Sequence, residues 1–319
     1  MVTLIVATTI DPASINPANV LLSMPGWSSV SSLKGMKSYR NGQARLLIHD
    51  QSIVKEDDLD HRWSAAVDNE VVDEVIFLSK HTAVSNRPAL TLHPIGVPHL
   101  CDGDSPPQGG KPGWAALPNP RIGPWLRLLK TIAHTHNLVP EFEVTLEATH
   151  HGPLTNTPTM FIEIGSTEEC WKRLDAAEVI AQLLWKGLGL GGDTPVGIWN
   201  SQNNKNKVLL GIGGGHYAPR HMDIVEKDGI WVGHILSGYS LPMLDPSQSN
   251  AHVSSSEGIG GTWKQSIKVA YEATRLAFPQ GHILAHLDHK SFKGWQKNAI
   301  TTFLAEQNIK IGKPNDFCH

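Results

Sequence analysis

Short apolar runs alternate with longer amphipathic stretches from one end of the chain to the other. Runs at 2–10, 44–49, 74–79, 89–93, 142–149, 159–164, 207–212, 230–236 and 282–287 predict strands. Helical spacing lies between many of them. Leu59, Trp63, Ala66 and Val67 form one stripe behind Asp57, a candidate N-cap. Ile122, Trp125, Leu126, Leu129 and Ala133 mark a helix within 121–137. Ser166 and Glu169 have capping-box spacing ahead of Trp171, Leu174, Ala181, Leu184, Trp185 and Leu188, with Gly187 and Gly189 as stops. Trp263, Ile267 and Ala270 open another helix, and Phe292, Trp295, Ala299 and Phe303 mark the last. The alternation predicts an α/β fold, with a mixed, largely parallel central sheet flanked by helices. Residues 152–158 are too few for a parallel crossover, so the strands at 142–149 and 159–164 are expected to be antiparallel neighbours. Residues 102–120, dense in Gly and Pro, predict an exposed loop or insertion, and the Ser- and Gly-rich 245–261 a mobile loop suited to a lid. With no internal repeat, residues 1–319 are expected to form a single catalytic α/β domain.

Composition narrows the class. Hydrophobic residues at 40% against 18% charged exclude a disordered chain. No apolar window is long enough for a membrane helix. Cys101, Cys170 and Cys318 form no CxxC pair, and the first strand has no basic region before it. A cytoplasmic protein is expected, with entry into the nucleus left open. Lys and Arg number 27 against 30 acids, which argues against a protein that coats nucleic acid along its length. Residues 261–313 depart from that balance, with eight basic and three acidic residues, or +5. Lys264, Lys268 and Arg275 fall at helical spacing there, as do Lys290, Lys293 and Lys297.

Histidine is the outlier of the composition: 17 residues, against 7 Phe and 4 Tyr. His81, His93, His150, His151, His216, His286 and His289 all lie where predicted strands end. In open α/β sheets the ligand crevice lies outside the carboxyl ends of the strands. One such histidine is more often packing than chemistry; a group at equivalent ends favours a site. Alternation puts Glu147 and His151 on one face of their strand and Glu163 on the matching face of the next. Two carboxylates among imidazoles suit Zn²⁺ with an open position, or a histidine base polarised by a carboxylate. A solvated face of a hairpin accounts for the glutamates equally well. Gly213, Gly214 and Gly215 follow a strand and offer an anion nest, with backbone N–H groups placed to hold an oxyanion, and Arg220 adds a fork for phosphate or carboxylate. The Rossmann glycine pattern fails at His216, and no P-loop, HExxH or GxSxG string occurs.

Five strings run in order through most of the chain: Ser79-Lys-His81, Leu92-His-Pro-Ile-Gly96, Glu147-Ala-Thr-His-His-Gly-Pro153, Phe161-Ile-Glu-Ile-Gly-Ser166 and Gly213-Gly-Gly-His-Tyr-Ala-Pro-Arg220. Together they resemble the archaeal and plant type of D-aminoacyl-tRNA deacylase, with the look of a plant member. Residues 102–120 are an addition to the compact archaeal pattern. The resemblance implies a monomeric, zinc-associated hydrolase with a core related to phosphorylase and peptidyl-tRNA-hydrolase folds. It implies cleavage of the ester between a D-amino acid and the terminal ribose of tRNA, a chiral proofreading step, and action on some N-alkylated adducts. On this basis His81, His151, His286 and Glu147 are the catalytic candidates. His150, His151, Glu163 and His216 are the candidate Zn²⁺ ligands. Gly213, Gly214, Gly215, Tyr217, Arg220, Lys290 and Lys293 are expected to meet the acceptor end of aminoacyl-tRNA, and Gly152 and Pro153 to form a wall that an L side chain would strike. Two other classes remain open. A small-molecule metallohydrolase or nucleoside phosphorylase-like enzyme explains the histidines but leaves the basic segment idle; a tRNA-binding adaptor does the reverse.

Overall fold

Eight strands from the first half of the chain form one mixed sheet, seen in a computed structural model that describes residues 1–31, 33–245 and 259–318. They are β1 (Val2–Thr8), β2 (Ser28–Val30), β3 (Lys37–Asn41), β4 (Ala44–His49), β5 (Val72–Lys80), β6 (Ala89–His93), β7 (Glu143–Leu146) and β8 (Thr159–Gly165), in the order β2-β3-β4-β1-β5-β8-β6-β7. β1 is buried at every position, as a near-continuous apolar run requires of a central parallel strand. It pairs in parallel with β4 and β5, and β5 in parallel with β8. β6 runs antiparallel to β8, and β7 parallel to β6. A second sheet of three parallel strands holds β9 (Lys207–Ile212), β10 (Trp231–Leu236) and β11 (His282–Leu287), with β9 in the middle. The expected α/β fold with a mixed, largely parallel central sheet is the one observed.

Helices cover both sheets. α1 (Pro12–Ser23) starts with Pro at its first position behind Asp11, whose side chain accepts from the Ala13 N–H at 3.0 Å. It packs with α3 (Ile122–Thr135) and α5 (Leu174–Gly187) over one face of the large sheet. α3 buries the predicted stripe Ile122, Trp125, Leu126, Leu129 and Ala133. α2 (Leu59–Ala66) places Trp63 in the core of the other face. α7 (Trp263–Ala277) and α8 (Gly294–Glu306) cover the small sheet. The short α4 (Glu168–Trp171) and α6 (Pro219–Val225) complete the set among the described residues.

Several local expectations are corrected. The strands at 142–149 and 159–164 are not neighbours, because β6 pairs between them. β2 and β3 were not predicted: they are short and carry polar residues. The single helix after Ser166 is two, α4 and α5, broken at residues 172–173. Ser166 caps neither; its hydroxyl donates to the Arg87 carbonyl at 2.6 Å, and Leu174 is exposed. Asp57 accepts from the Leu154 N–H rather than capping α2, and Ala66 is exposed. Residues 102–120 lack regular structure, yet Ala115, Ala116 and Asn119 are buried. Residues 246–258 of the expected lid lie outside the described residues.

Candidate active site

One face of the large sheet supplies the carboxylates. Pairing sets Glu163 opposite Ser79 on one side and Thr91 on the other, and Leu92 opposite Leu146. Side chains alternate, so Glu163, His93 and Glu147 share a face even though β6 intervenes. Beyond β7 the chain crosses to the small sheet: Ala148 N–H donates to the His216 carbonyl at 2.8 Å and Thr149 N–H to that of Ile235 at 2.7 Å. The site therefore lies on the seam between the two sheets. His81 arrives from the end of β5, His216 from the turn after β9, and His150 and His151 from the seam itself.

Glu147 and Glu163 are buried, with side chains 0% and 1% exposed. Burying an unpartnered ion costs several kcal/mol, so both need partners. Glu147 Oε2 lies 2.6 Å from His216 Nε2, 3.1 Å from His81 Nδ1 and 3.4 Å from His150 Nε2. Burial raises the Glu147 pKa, but His216 and His81 outweigh it and hold the carboxyl well below its usual range. Burial and the charge of Glu147 push Glu163 up, and His81 and His93 bring it below the ordinary value. Burial lowers His81, but the two carboxylates outweigh it and raise the imidazole to about 9, so it is a cation at neutral pH. His93 is also raised: burial opposes, and the Glu163 carboxylate at 3.7 Å prevails. His150 is held well below its ordinary value and His151 at about 4, first by burial and then by the charge at His93. Both are neutral imidazoles.

Four buried atoms in this cluster have no hydrogen-bond partner: His93 Nε2, His151 Nδ1, Glu147 Oε1 and Glu163 Oε1. Donor atoms of His93, His150 and His151 lie within 4.8 Å of one another, as do those of His81, Glu147 and His216, and of His93, Glu147 and Glu163. His150 donates through Nδ1 to the Ala148 carbonyl at 2.7 Å, which fixes Nε2 as its free lone pair. A fourth trio, Asp58, Asp60 and His61, is already occupied by Asn156, whose amide reaches all three side chains. The histidines open into a cleft of about 430 Å³, lined by His81, His150, His151, Glu163 and His216 and faced by Ile10, Ile53 and Val54. Two larger grooves, about 1010 and 1140 Å³, hold none of these residues.

The expected ligands His150, His151, Glu163 and His216 do not converge as a set; they are divided among three trios that also need His81, His93 and Glu147. His93, passed over as a candidate, carried the same signal as the rest, a histidine closing a strand. His286 is apart from the cluster. Its Nδ1 is 2.9 Å from His221 Nδ1, and His221 Nε2 donates to the Gly213 carbonyl. Gly213 and Gly214 take φ of +96° and +94°, a region suited to glycine. They form no open nest, since their N–H groups are used by the Leu236 carbonyl and Ser291 Oγ. Gly215 and His216 are the remaining amides of the run. Tyr217 stands behind the site, its hydroxyl 2.7 Å from His81 Nε2, and lines the groove beside β7. Arg220 is bound to Asp288 at 3.0 Å. Lys290 is exposed in a turn and Lys293 faces Asp245 at 3.6 Å, so neither lies within the cleft.

The model of the D-aminoacyl-tRNA deacylase family matches residues 68–312. The chain is 71% identical to a D-aminoacyl-tRNA deacylase of Arabidopsis thaliana over 318 residues, covering 99% of this chain and 100% of that one. It is 28% identical to a D-aminoacyl-tRNA deacylase of Thermoplasma acidophilum over 260 residues, 81% of this chain and 88% of that one. A crystal structure of a conserved protein of unknown function shares the fold, with a TM-score of 0.73 and 24% identity over 99% of this chain and 96% of that one.

Proposed function

The chain belongs to the D-aminoacyl-tRNA deacylase family and hydrolyses the ester of D-aminoacyl-tRNA; we propose that it does so in the cleft at the seam of its two sheets. The observation that carries this reading is the 2.6 Å contact between His216 Nε2 and the buried Glu147, within a cluster that contains a cationic His81. Glu147 fixes the proton of His216 on Nε2 and leaves Nδ1 as the base. Tyr239 Oη occupies the hydrogen-bond position of Nδ1 at 3.2 Å, which the attacking water would take over. His216 takes a proton from water, whose oxygen attacks the ester carbonyl. The oxyanion forms beside the His81 cation, held in place by both glutamates and Tyr217. Collapse breaks the acyl–oxygen bond, and the ribose oxygen leaves with the proton from His216.

The cluster also fits a zinc ion. His93, His150 and His151 would hold it: three imidazoles suit an open Zn²⁺ site, His150 and His151 are already neutral, His93 would give up its proton on binding, and two of their buried nitrogens have no hydrogen-bond partner. The negative charge of Glu163 beside His93 Nε2 favours a cation there. When bound, Zn²⁺ supplies Lewis-acid polarisation of a carbonyl or water. Purified protein is expected to carry about one zinc per chain by elemental analysis, and chelation to lower turnover until Zn²⁺ is returned. The decisive variant is Glu147→Gln, assayed on D-Tyr-tRNA with L-Tyr-tRNA as the uncleaved control. A loss of about 10²-fold or more in rate is expected with the fold intact by circular dichroism. A folded variant with normal turnover would remove the cluster from the chemistry.

A further inference from the structure

We propose that residues 107–110 are part of this active site, and that the Gln108 carbonyl is a positioning group that holds the His150 and His151 pair for hydrolysis. The inference rests on the placement of the site given above. Gly152, the residue after the pair, donates its N–H to the Gln108 carbonyl at 3.2 Å. Its own φ is +100°, and a Cβ there would lie 2.9 Å from the side chain of Ile95. Behind Gln108 there is no space. At Gly109, φ +77°, a Cβ would fall 1.9 Å from the Val54 carbonyl oxygen and 3.2 Å from that of Gly152. At Gly110, φ +100°, it would fall 2.9 Å from Val97 Cγ2. The segment is thus a wedge between Val54, Val97 and Gly152. Its far end is pinned by Val97 N–H to the Trp114 carbonyl at 2.9 Å and Ala116 N–H to that of Ile95 at 3.1 Å.

The residue so held is strained. His151 has φ +23°, which a side-chain-bearing residue keeps only where its surroundings impose it. Gly96 N–H, 3.0 Å from the His151 carbonyl, grips the residue itself, and the Gln108 carbonyl grips the next amide. The two hydrogen bonds engage the carbonyl and the N–H of one peptide unit, that between His151 and Gly152, and fix its orientation. Pro107 and Gln108 also line the cleft together with His81 and His216, so the wedge is a wall of the cleft that it braces. Hydrolysis is sensitive to such bracing, since a displacement of about 1 Å can cost roughly 10² in rate.

The test uses the full chain and D-Tyr-tRNA, with kcat and KM measured separately and folding followed by thermal melting. Gly109→Ala is expected to lower kcat about tenfold or more while KM stays within about twofold. Gly103→Ala, at an exposed position of the same loop with no atom within 4 Å of its Cβ, is expected to leave kcat unchanged. Gly110→Ala, which sets a Cβ against Val97 Cγ2 at a φ of +100°, should also slow turnover. A folded Gly109→Ala protein with wild-type kcat overturns the proposal. If that variant does not fold, Gly110→Ala decides: an undiminished kcat there overturns it. A wild-type chain inactive on D-Tyr-tRNA would instead refute the functional reading, and the positioning role with it.

Discussion

Glu147 has no exposed side-chain surface and faces three imidazoles within 3.4 Å, so its charge sets the protonation of its neighbours. That charge and Glu163 keep His81 protonated, while burial and the charge at His93 keep His150 and His151 neutral. Chemically similar residues thus take different states, cation and neutral imidazole, according to what lies beside them. The division gives a contrast between two histidines. His151→Ala should lose bound zinc and about 10²-fold in rate with the fold intact. His286→Ala should stay within about twofold of wild type, since His286 faces His221 and not the carboxylates. Zinc content and single-turnover rates on both variants check this, and equal losses would return His286 to the site. Histidines at strand ends were visible in the sequence; which of them face the glutamates was not, because those contacts join residues 81, 147, 163 and 216.

At the scale of elements, the first basic group lies on one helix as expected, Lys264, Lys268 and Arg275 all falling in α7, and the second does not. α7 carries Lys264 and Lys268, with the Lys264 ammonium over the rings of Trp263 and Phe303 at 5.5 and 5.9 Å. Lys290 lies in a short turn at His289–Ser291, Lys293 caps α8, and Lys297 is in its first helical turn. Chain contacts tie this second group to the site: Ser291 Oγ accepts from Gly214 N–H at 2.6 Å, two residues before His216. We therefore propose that the acceptor stem of tRNA lies on the Lys290 side. Replacing Lys290, Lys293 and Lys297 with Ala should weaken aminoacyl-tRNA binding and reduce its log–log salt slope by about two to three. Hydrolysis of a short aminoacyl-adenosine should fall far less, since it lacks the phosphates those lysines would meet. An unchanged slope for tRNA binding places the RNA elsewhere.

The whole molecule is joined at the seam by buried histidines. His234 Nδ1 is 2.9 Å from Thr149 Oγ1 and its Nε2 donates to the Ala116 carbonyl at 2.9 Å, linking the small sheet to the strand end that bears the site. Burial lowers His234 to about 4, and burial followed by the charge at His286 does the same to His221. In the unfolded chain each titrates near about 6.5. Between those values the unfolded state binds more protons, so this stability is present above about pH 6.5 and is lost as pH falls toward 4. Each residue contributes up to about 3 kcal/mol in this way. His81 acts in the opposite sense: its stabilisation is present below about pH 6.5 and is lost as pH rises through 9. Urea unfolding in the presence of chelator should show a lower midpoint at pH 5 than at pH 7.5. Equal midpoints would mean that neither buried histidine resists protonation.

The sequence by itself determined most of the elements and their faces, though not β2, β3 or the break between α4 and α5. Apolar runs are local, so β1, β4, β6, β9 and β11 were readable from the pattern along the chain, and period-two alternation already set Glu147 and Glu163 on matching faces. The motif strings carried the family. Only the tertiary structure decided sheet order and partners. The insertion of β6 between β7 and β8 leaves the alternation of all three strands unchanged, so no local pattern could report it. It nevertheless brings His93 beside Glu163 and makes the site one of two buried carboxylates rather than a solvated hairpin. The same holds for Gln108, whose backbone carbonyl carries no trace in its side chain of the Gly152 N–H it meets. Secondary structure follows from neighbours along the chain, whereas charge, ligation and strain here depend on residues brought together from far apart in it.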